Sequence, residues 1–158
     1  TAFCEKNDPE LVIETLQGLV EKFEEAFFEN NLEKIKTVGD AIVAVSGLSS
    51  MDSSSVKNCV NCSYKLKEIA NSYSMPWDLH VGIHFGSLVA GTIGKKTVQY
   101  DILGKSVNIA FNICDMSEAN QILISSDAWM TARTEINVNS IGLKKLKSGQ
   151  EVEILECK

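Results

Sequence analysis

Leu11, Val12, Leu16, Leu19, Val20, Phe23 and Phe27 recur at helical spacing, so residues 9–30 are predicted to form an amphipathic helix. Asp8-Pro9 in front of them reads as an N-cap followed by proline at the first helical position. The stretch KIKTVGDAIVAVSGL, residues 34–48, reads as two short strands around Gly39-Asp40, a hairpin signal. SSMDSSS, residues 49–55, is a low-complexity loop ending in a helix cap. Residues 54–73 follow as a second helix with Val56, Val60, Leu66 and Ile69 on its apolar side. Leu79, Val81, Ile83 and Phe85 alternate, which predicts a strand over 77–90, and a turn-rich arm comes next. The remaining pattern gives a strand at 97–103, a helix at 105–117, a strand at 121–125, a short helix near 126–133 and strands at 136–146 and 151–156. There is no internal repeat. The predicted class is an α/β (α+β) sandwich: a mostly antiparallel sheet with helices packed on it and a C-terminal hairpin.

The chain's 158 residues are the size of one domain, and 44% hydrophobic with 23% charged content is ordinary for a globular one. The formal charge of −6 argues against non-specific binding to nucleic acid or an anionic membrane, but not against a nucleotide. No apolar run reaches the ~18 residues of a membrane span, and the first residues lack a signal-peptide pattern. The domain is therefore not expected to insert into a membrane itself. The cysteines, Cys4, Cys59, Cys62, Cys114 and Cys157, are odd in number and scattered, which predicts reduced thiols in a cytoplasmic setting.

Candidate chemistry begins with Lys36, Gly39 and Asp40. A carboxylate at a glycine-bearing hairpin tip can reach a hard cation such as Mg2+, or it can be a plain turn residue. Asp101 sits on an apolar strand, where a carboxylate is costly unless paired. Its partner is either a lysine of the protein or an amine of a ligand. Asn108 lies in an otherwise apolar helical turn, as a capping or core amide or as a ligand contact. The glycines form neither G-x-G-x-x-G nor a P-loop, so Rossmann and Walker nucleotide binding are not supported. Cys59-Val-Asn-Cys62 stands alone, without the second pair that a zinc site needs. His80 and His84, read on one strand at ~3.3 Å per residue, are too far apart to share a metal.

KIKTVGDAIVAVSGL and VGIHFGSLVAGTIGKKTVQYDILGKSVNIA together resemble the class III adenylyl and guanylyl cyclases, and the likeness runs in register from about Thr1 to the terminal hairpin. The resemblance implies a ferredoxin-like core that works as a head-to-tail dimer with its active site between subunits. It implies two-metal catalysis with Mg2+ or Mn2+: the ribose 3′-hydroxyl attacks the α-phosphate and pyrophosphate leaves. Asp40 matches a metal aspartate. Lys36 and Asp101 match the purine-selecting pair, and Asn108 matches the asparagine that positions the ribose. Adenine offers an acceptor at N1 and a donor amine at N6, which suit Lys36 and Asp101. Guanine offers the reverse, and guanylyl members usually place Glu and Cys at these positions, so the implied substrate is ATP and the product cyclic AMP.

The chain departs from the family pattern in three places. The opening strand, ending in a D-x-x-G-F-T-like segment, is matched only at Thr1, so the first metal aspartate is expected just upstream. Where the family reads VN-x-A-S-R this chain reads VNIAFN, so Phe111 replaces the serine and Asn112 the transition-state arginine. Losing such a cation costs on the order of 100-fold or more in rate. The phosphate-binding lysine has Lys147 as its nearest match, with Lys144 and Lys145 beside it, although all three also suit a solvated basic strand. The expected partners are ATP and a second copy or a related cyclase chain, with no nucleic acid. The expected setting is the cytoplasm, including the cytosolic part of a larger sensor or membrane protein. Two other readings stay open: a non-catalytic or heterodimer-dependent regulatory module, and a guanylyl cyclase.

Overall fold

The computed structural model describes residues 8–48, 54–74, 77–132 and 136–158. Helix α1 spans Pro9–Glu29, and the Asp8 side chain accepts the Glu10 N–H at 2.9 Å, as the sequence anticipates for its N-cap. Asn31, with φ of 56°, turns the chain out of the helix. The hairpin β1 (Glu33–Val38) and β2 (Ala41–Val45) follows, with a bulge between Lys34 and Lys36 and Gly39 at φ of 62° in its tip. Helix α2, Ser55–Asn71, packs on α1: Leu19, Phe23, Ala26 and Phe27 meet Cys62, Leu66 and Ala70 in one buried cluster. Ile42 and Ala44 close that cluster from β2.

The central sheet has the order β3-β6-β8-β7, from β3 (His80–Ile83), β6 (Gln121–Ser125), β7 (Val138–Lys145) and β8 (Glu151–Cys157). β3 and β6 are parallel, and the other two pairings are antiparallel. Its two faces bury separate clusters. Ile83, Ile122, Ile124 and Leu155 pack with Val56 and Val60 of α2 and with Ala128 and Ala132 of α4 (Ser126–Ala132). Leu123, Val152 and Ile154 pack with Ile109 and Ile113 of α3 (Lys105–Met116). A separate hairpin joins β4 (Val89–Ile93) to β5 (Gln99–Leu103). The fold is thus the expected mixed α+β class, with its C-terminal hairpin in place.

One strand differs from the sequence reading. The alternation through Phe85 predicts a strand over 77–90, but the strand stops at Ile83 and a new one starts at Val89. Tertiary contact overrides the local pattern. The segment between them is drawn against the start of α3, where the Ser106 hydroxyl donates to the Ser87 carbonyl at 2.8 Å. A Cβ on Gly86 would collide with the Ser106 side chain there. The expected sheet is also divided among the described residues into one four-stranded sheet and two hairpins. Thr1 and the expectation of an opening strand lie outside the described residues, as do Cys4 and most of the SSMDSSS loop.

Gly82 sets the approach of α3 to β3. A Cβ there would overlap backbone atoms of Ala110 and Cys114, which cannot move like a side-chain tip. Gly82→Ala is therefore expected to lower stability by about 1–3 kcal/mol through overpacking, read as a fall in the urea midpoint at unchanged slope.

Candidate functional site

Lys36 and Asp101 are 65 residues apart in sequence and meet across the two hairpins. The Lys36 ammonium lies 2.8 Å from both carboxylate oxygens of Asp101. One of those oxygens also accepts the Ile102 N–H at 2.7 Å. Both side chains are half-buried, and the bulge at Lys34/Lys36 sets the direction in which Lys36 leaves β1. The Lys36 hydrogen bond, and after it the Ile102 N–H, hold the Asp101 carboxyl below the usual carboxylate range. Asp101 is therefore an acceptor only at neutral pH. Gly91 lies opposite Asp101 across β4–β5, and a Cβ there would meet nothing within 4 Å, so the space above the carboxylate is open.

Asp40 is exposed in the tip of the β1–β2 hairpin. It is a hard oxygen donor of the kind that suits Mg2+ or Mn2+. No group of three or more His, Cys, Asp or Glu that could hold a metal occurs among the described residues. Asp40 thus fits a metal as one ligand of several, with the others supplied from elsewhere.

The third element is α3. Asn108, Asn112 and Asp115 fall on one side of it, beside the face that buries Ile109 and Ile113. Asn108 is exposed, and its carbonyl accepts the Asn112 amide at 2.6 Å. The Asn112 side-chain oxygen accepts the Lys147 backbone N–H at 3.0 Å. The Lys147 ammonium pairs with Asp115 at 2.5 Å, both side chains well exposed. The structure therefore joins Lys36 to Asp101, and Asn108 and Asn112 to the Lys147 turn. Among the described residues no hydrogen bond or ion pair joins Asp40 to either group.

Residues 1–155 match the family described as Adenylate and Guanylate cyclase catalytic domain. The chain belongs to that family. The Caenorhabditis elegans receptor-type guanylate cyclase gcy-23 is 29% identical over 135 residues, which cover 81% of this chain and 13% of that relative. The chain thus spans a small part of the length of this curated relative. Two solved structures share the fold. The guanylate cyclase domain of RhGC from Catenaria anguillulae, solved with GTP, superposes at TM-score 0.93 with 17% identity, over 99% of this chain and 88% of that one. The adenylyl cyclase CyaB from P. aeruginosa superposes at 0.90 with 20% identity, over 99% and 87%. Class III cyclase domains generally use divalent metals and act as dimers on a nucleotide. Relatives include both guanylate and adenylyl cyclases, so membership alone leaves the purine open.

Within this cyclase domain the Cys59 and Cys62 thiols are held protonated by burial and the two histidines are hydrogen-bonded. Burial pushes the Cys59 thiol up to about 12 and the Cys62 thiol to about 11, so neither is a thiolate ready for metal or redox work. His80 bonds the Ser117 carbonyl at 2.8 Å and His84 bonds the Ser125 hydroxyl at 2.8 Å. His84 lies just beyond β3 rather than within a strand. No helix among the described residues is long and apolar enough to cross a membrane.

Sequence reasoning missed the Ile102 N–H, which no residue-type pattern reveals. It also missed Asp115, although its position two turns after Asn108 on the predicted helix was available. Because Lys36 is the largest cause of the depressed Asp101 pKa, Lys36→Met is expected to move the Asp101 titration up toward the ordinary range, read by carboxyl NMR. The pair's contribution to stability is present above the ordinary carboxylate range and is lost as pH falls through the depressed folded-state value.

Proposed function

We propose that this domain is an adenylyl cyclase, converting ATP to cyclic AMP and pyrophosphate at a crevice shared by two chains. The observation that carries this reading is the Lys36–Asp101 pair at 2.8 Å, with the carboxylate held ionised. An acceptor-only carboxylate suits the N6 amine of adenine and repels the O6 oxygen of guanine, while the Lys36 ammonium donates to N1. A side chain on Gly91, opposite Asp101, would meet nothing, which leaves that face of the hairpin open to a ligand.

The dimer reading draws support from the same surface. Val89, Ile93 and Leu103 share the Asp101 face of the β4–β5 hairpin by register, and all three are exposed, Val89 at 71%. Apolar side chains rimming a polar site mark an interaction surface. A second copy carrying the same residues would give a homodimer two equivalent sites. A related chain in its place would give a heterodimer.

The remaining roles follow the chemistry of each side chain. Asp40 would hold Mg2+ or Mn2+ as one ligand beside the triphosphate. A metal held there would lower the pKa of the ribose 3′-hydroxyl and offset charge at the phosphates. Asn108, exposed on α3, offers an amide to orient the ribose. Lys147 offers an ammonium to the phosphates once it leaves Asp115, an exposed pair that costs little to break. Asn112 brings no cation to the developing phosphate charge, so turnover is expected to be slow.

The test is the full-length protein supplied with ATP or GTP and Mn2+. Cyclic AMP formation with ATP favoured in direct competition is expected, and absence of cyclic AMP even at high protein concentration overturns the reading. Replacing the pair by Lys36→Glu with Asp101→Cys is expected to shift the preference to GTP by tenfold or more. Two further readings have specific support. The guanylate cyclases among the relatives favour GTP as substrate, which the competition decides. Asn112 favours a regulatory module that binds nucleotide without turnover, which would show thermal stabilisation by ATP but no product.

A further inference from the structure

We infer that Asn112 is a positioning residue: its side-chain oxygen latches the β7–β8 turn to α3 and so sets where the Lys147 ammonium can reach. This rests on the proposed phosphate-binding role of Lys147 and goes beyond it. The turn spans residues 146–150 and has its own frame. The Leu146 N–H donates to the Gln150 carbonyl at 2.8 Å, and the Gly149 N–H to the Leu146 carbonyl at 2.9 Å. Gly149, at φ of 85°, supplies the left-handed residue that closes it. Two contacts then seat this frame on α3. Leu146 is buried with Ile109 and Ile113, and the Lys147 N–H donates to Asn112.

The Asn112 amide has both halves in use. Its nitrogen donates to the Asn108 carbonyl one helical turn back, which fixes the side-chain rotamer and aims the oxygen at the turn. The role needs an acceptor, and an arginine has none. The residue that departs from the family pattern therefore does work that the usual arginine could not do. The lysine is treated differently at its two ends. Its backbone is pinned by Asn112, whereas its ammonium rests on Asp115 in an exposed pair, 78% and 54% accessible. A fixed root and a loosely parked tip are what a phosphate-seeking lysine requires: its arc is defined, and leaving Asp115 costs little.

The experiment is a double-mutant cycle on the full-length protein, read by calorimetric binding of inorganic pyrophosphate in the presence of Mn2+. The variants are Asn112→Leu, which keeps the branched shape but cannot accept, Lys147→Met, and the two combined. Asn112→Ala serves if the leucine variant does not fold. Each single change is expected to weaken pyrophosphate by about tenfold. The double variant is expected to be no weaker than either single one, because Asn112 acts only through Lys147. The Lys147 amide is expected to exchange its hydrogen faster by tenfold or more in Asn112→Leu, while amides in the centre of β8 stay protected.

Losses that multiply in the double variant overturn the latch. So does unchanged pyrophosphate affinity in Asn112→Leu when Lys147→Met weakens it. Wild-type protein that does not bind pyrophosphate at all removes both the latch's role and the proposed cyclase reading. A non-additive cycle in a protein with no turnover keeps the latch and removes the enzyme. An additive cycle in a protein that makes cyclic AMP does the opposite.

Discussion

The Lys36–Asp101 ion pair ties the β1–β2 hairpin to the β4–β5 hairpin. Among the described residues β1–β2 and β4–β5 are each two-stranded, and such ribbons are marginal alone. A half-buried carboxylate is acceptable at that junction because a cation and a backbone N–H both satisfy it. The same bonds that make Asp101 tolerable also keep it ionised and oriented. Structural need and the proposed base recognition thus fall on one carboxylate.

Helix α3 is the second fixed point, and its three faces have separate tasks. Its approach to β3 is limited by Gly82, where two backbones come as near as the absence of a side chain permits. Ile109 and Ile113 anchor it to the sheet. Its remaining face carries Asn108, Asn112 and Asp115, all of them engaged with one another or with the Lys147 turn. By the resemblance to the family pattern, Phe111 and Asn112 take the places of a serine and an arginine. In this structure Asn112 holds the turn that carries Lys147. A slow, lysine-dependent enzyme and a nucleotide-binding regulator are both consistent with that exchange.

The sequence made the helices plain, because long apolar stripes and the Asp8-Pro9 cap agree with one another. The β1–β2 hairpin was equally legible from Gly39-Asp40. The break after Ile83 was not, since alternation continues through Phe85 and only the packing of 84–88 against α3 stops the strand. In the site, Lys36 and Asp101 were recognisable as a pair through likeness to a family, not through any local pattern, because their contact spans 65 residues of chain. The Ile102 and Lys147 contributions were hidden for a different reason. Both are backbone amides, and residue identity says nothing about where a backbone donor points. Asn112 was noticed as a missing arginine, while the contact it makes could be seen only in the fold.

The most direct measurement is a crystal structure of the full-length protein with a non-cyclisable ATP analogue and Mn2+. The expected result places the adenine amine within hydrogen-bond distance of Asp101 and ring N1 within reach of Lys36, in a crevice facing a second chain. A base bound elsewhere, with Lys36 and Asp101 still bonded only to each other and turned away from any partner, would contradict it.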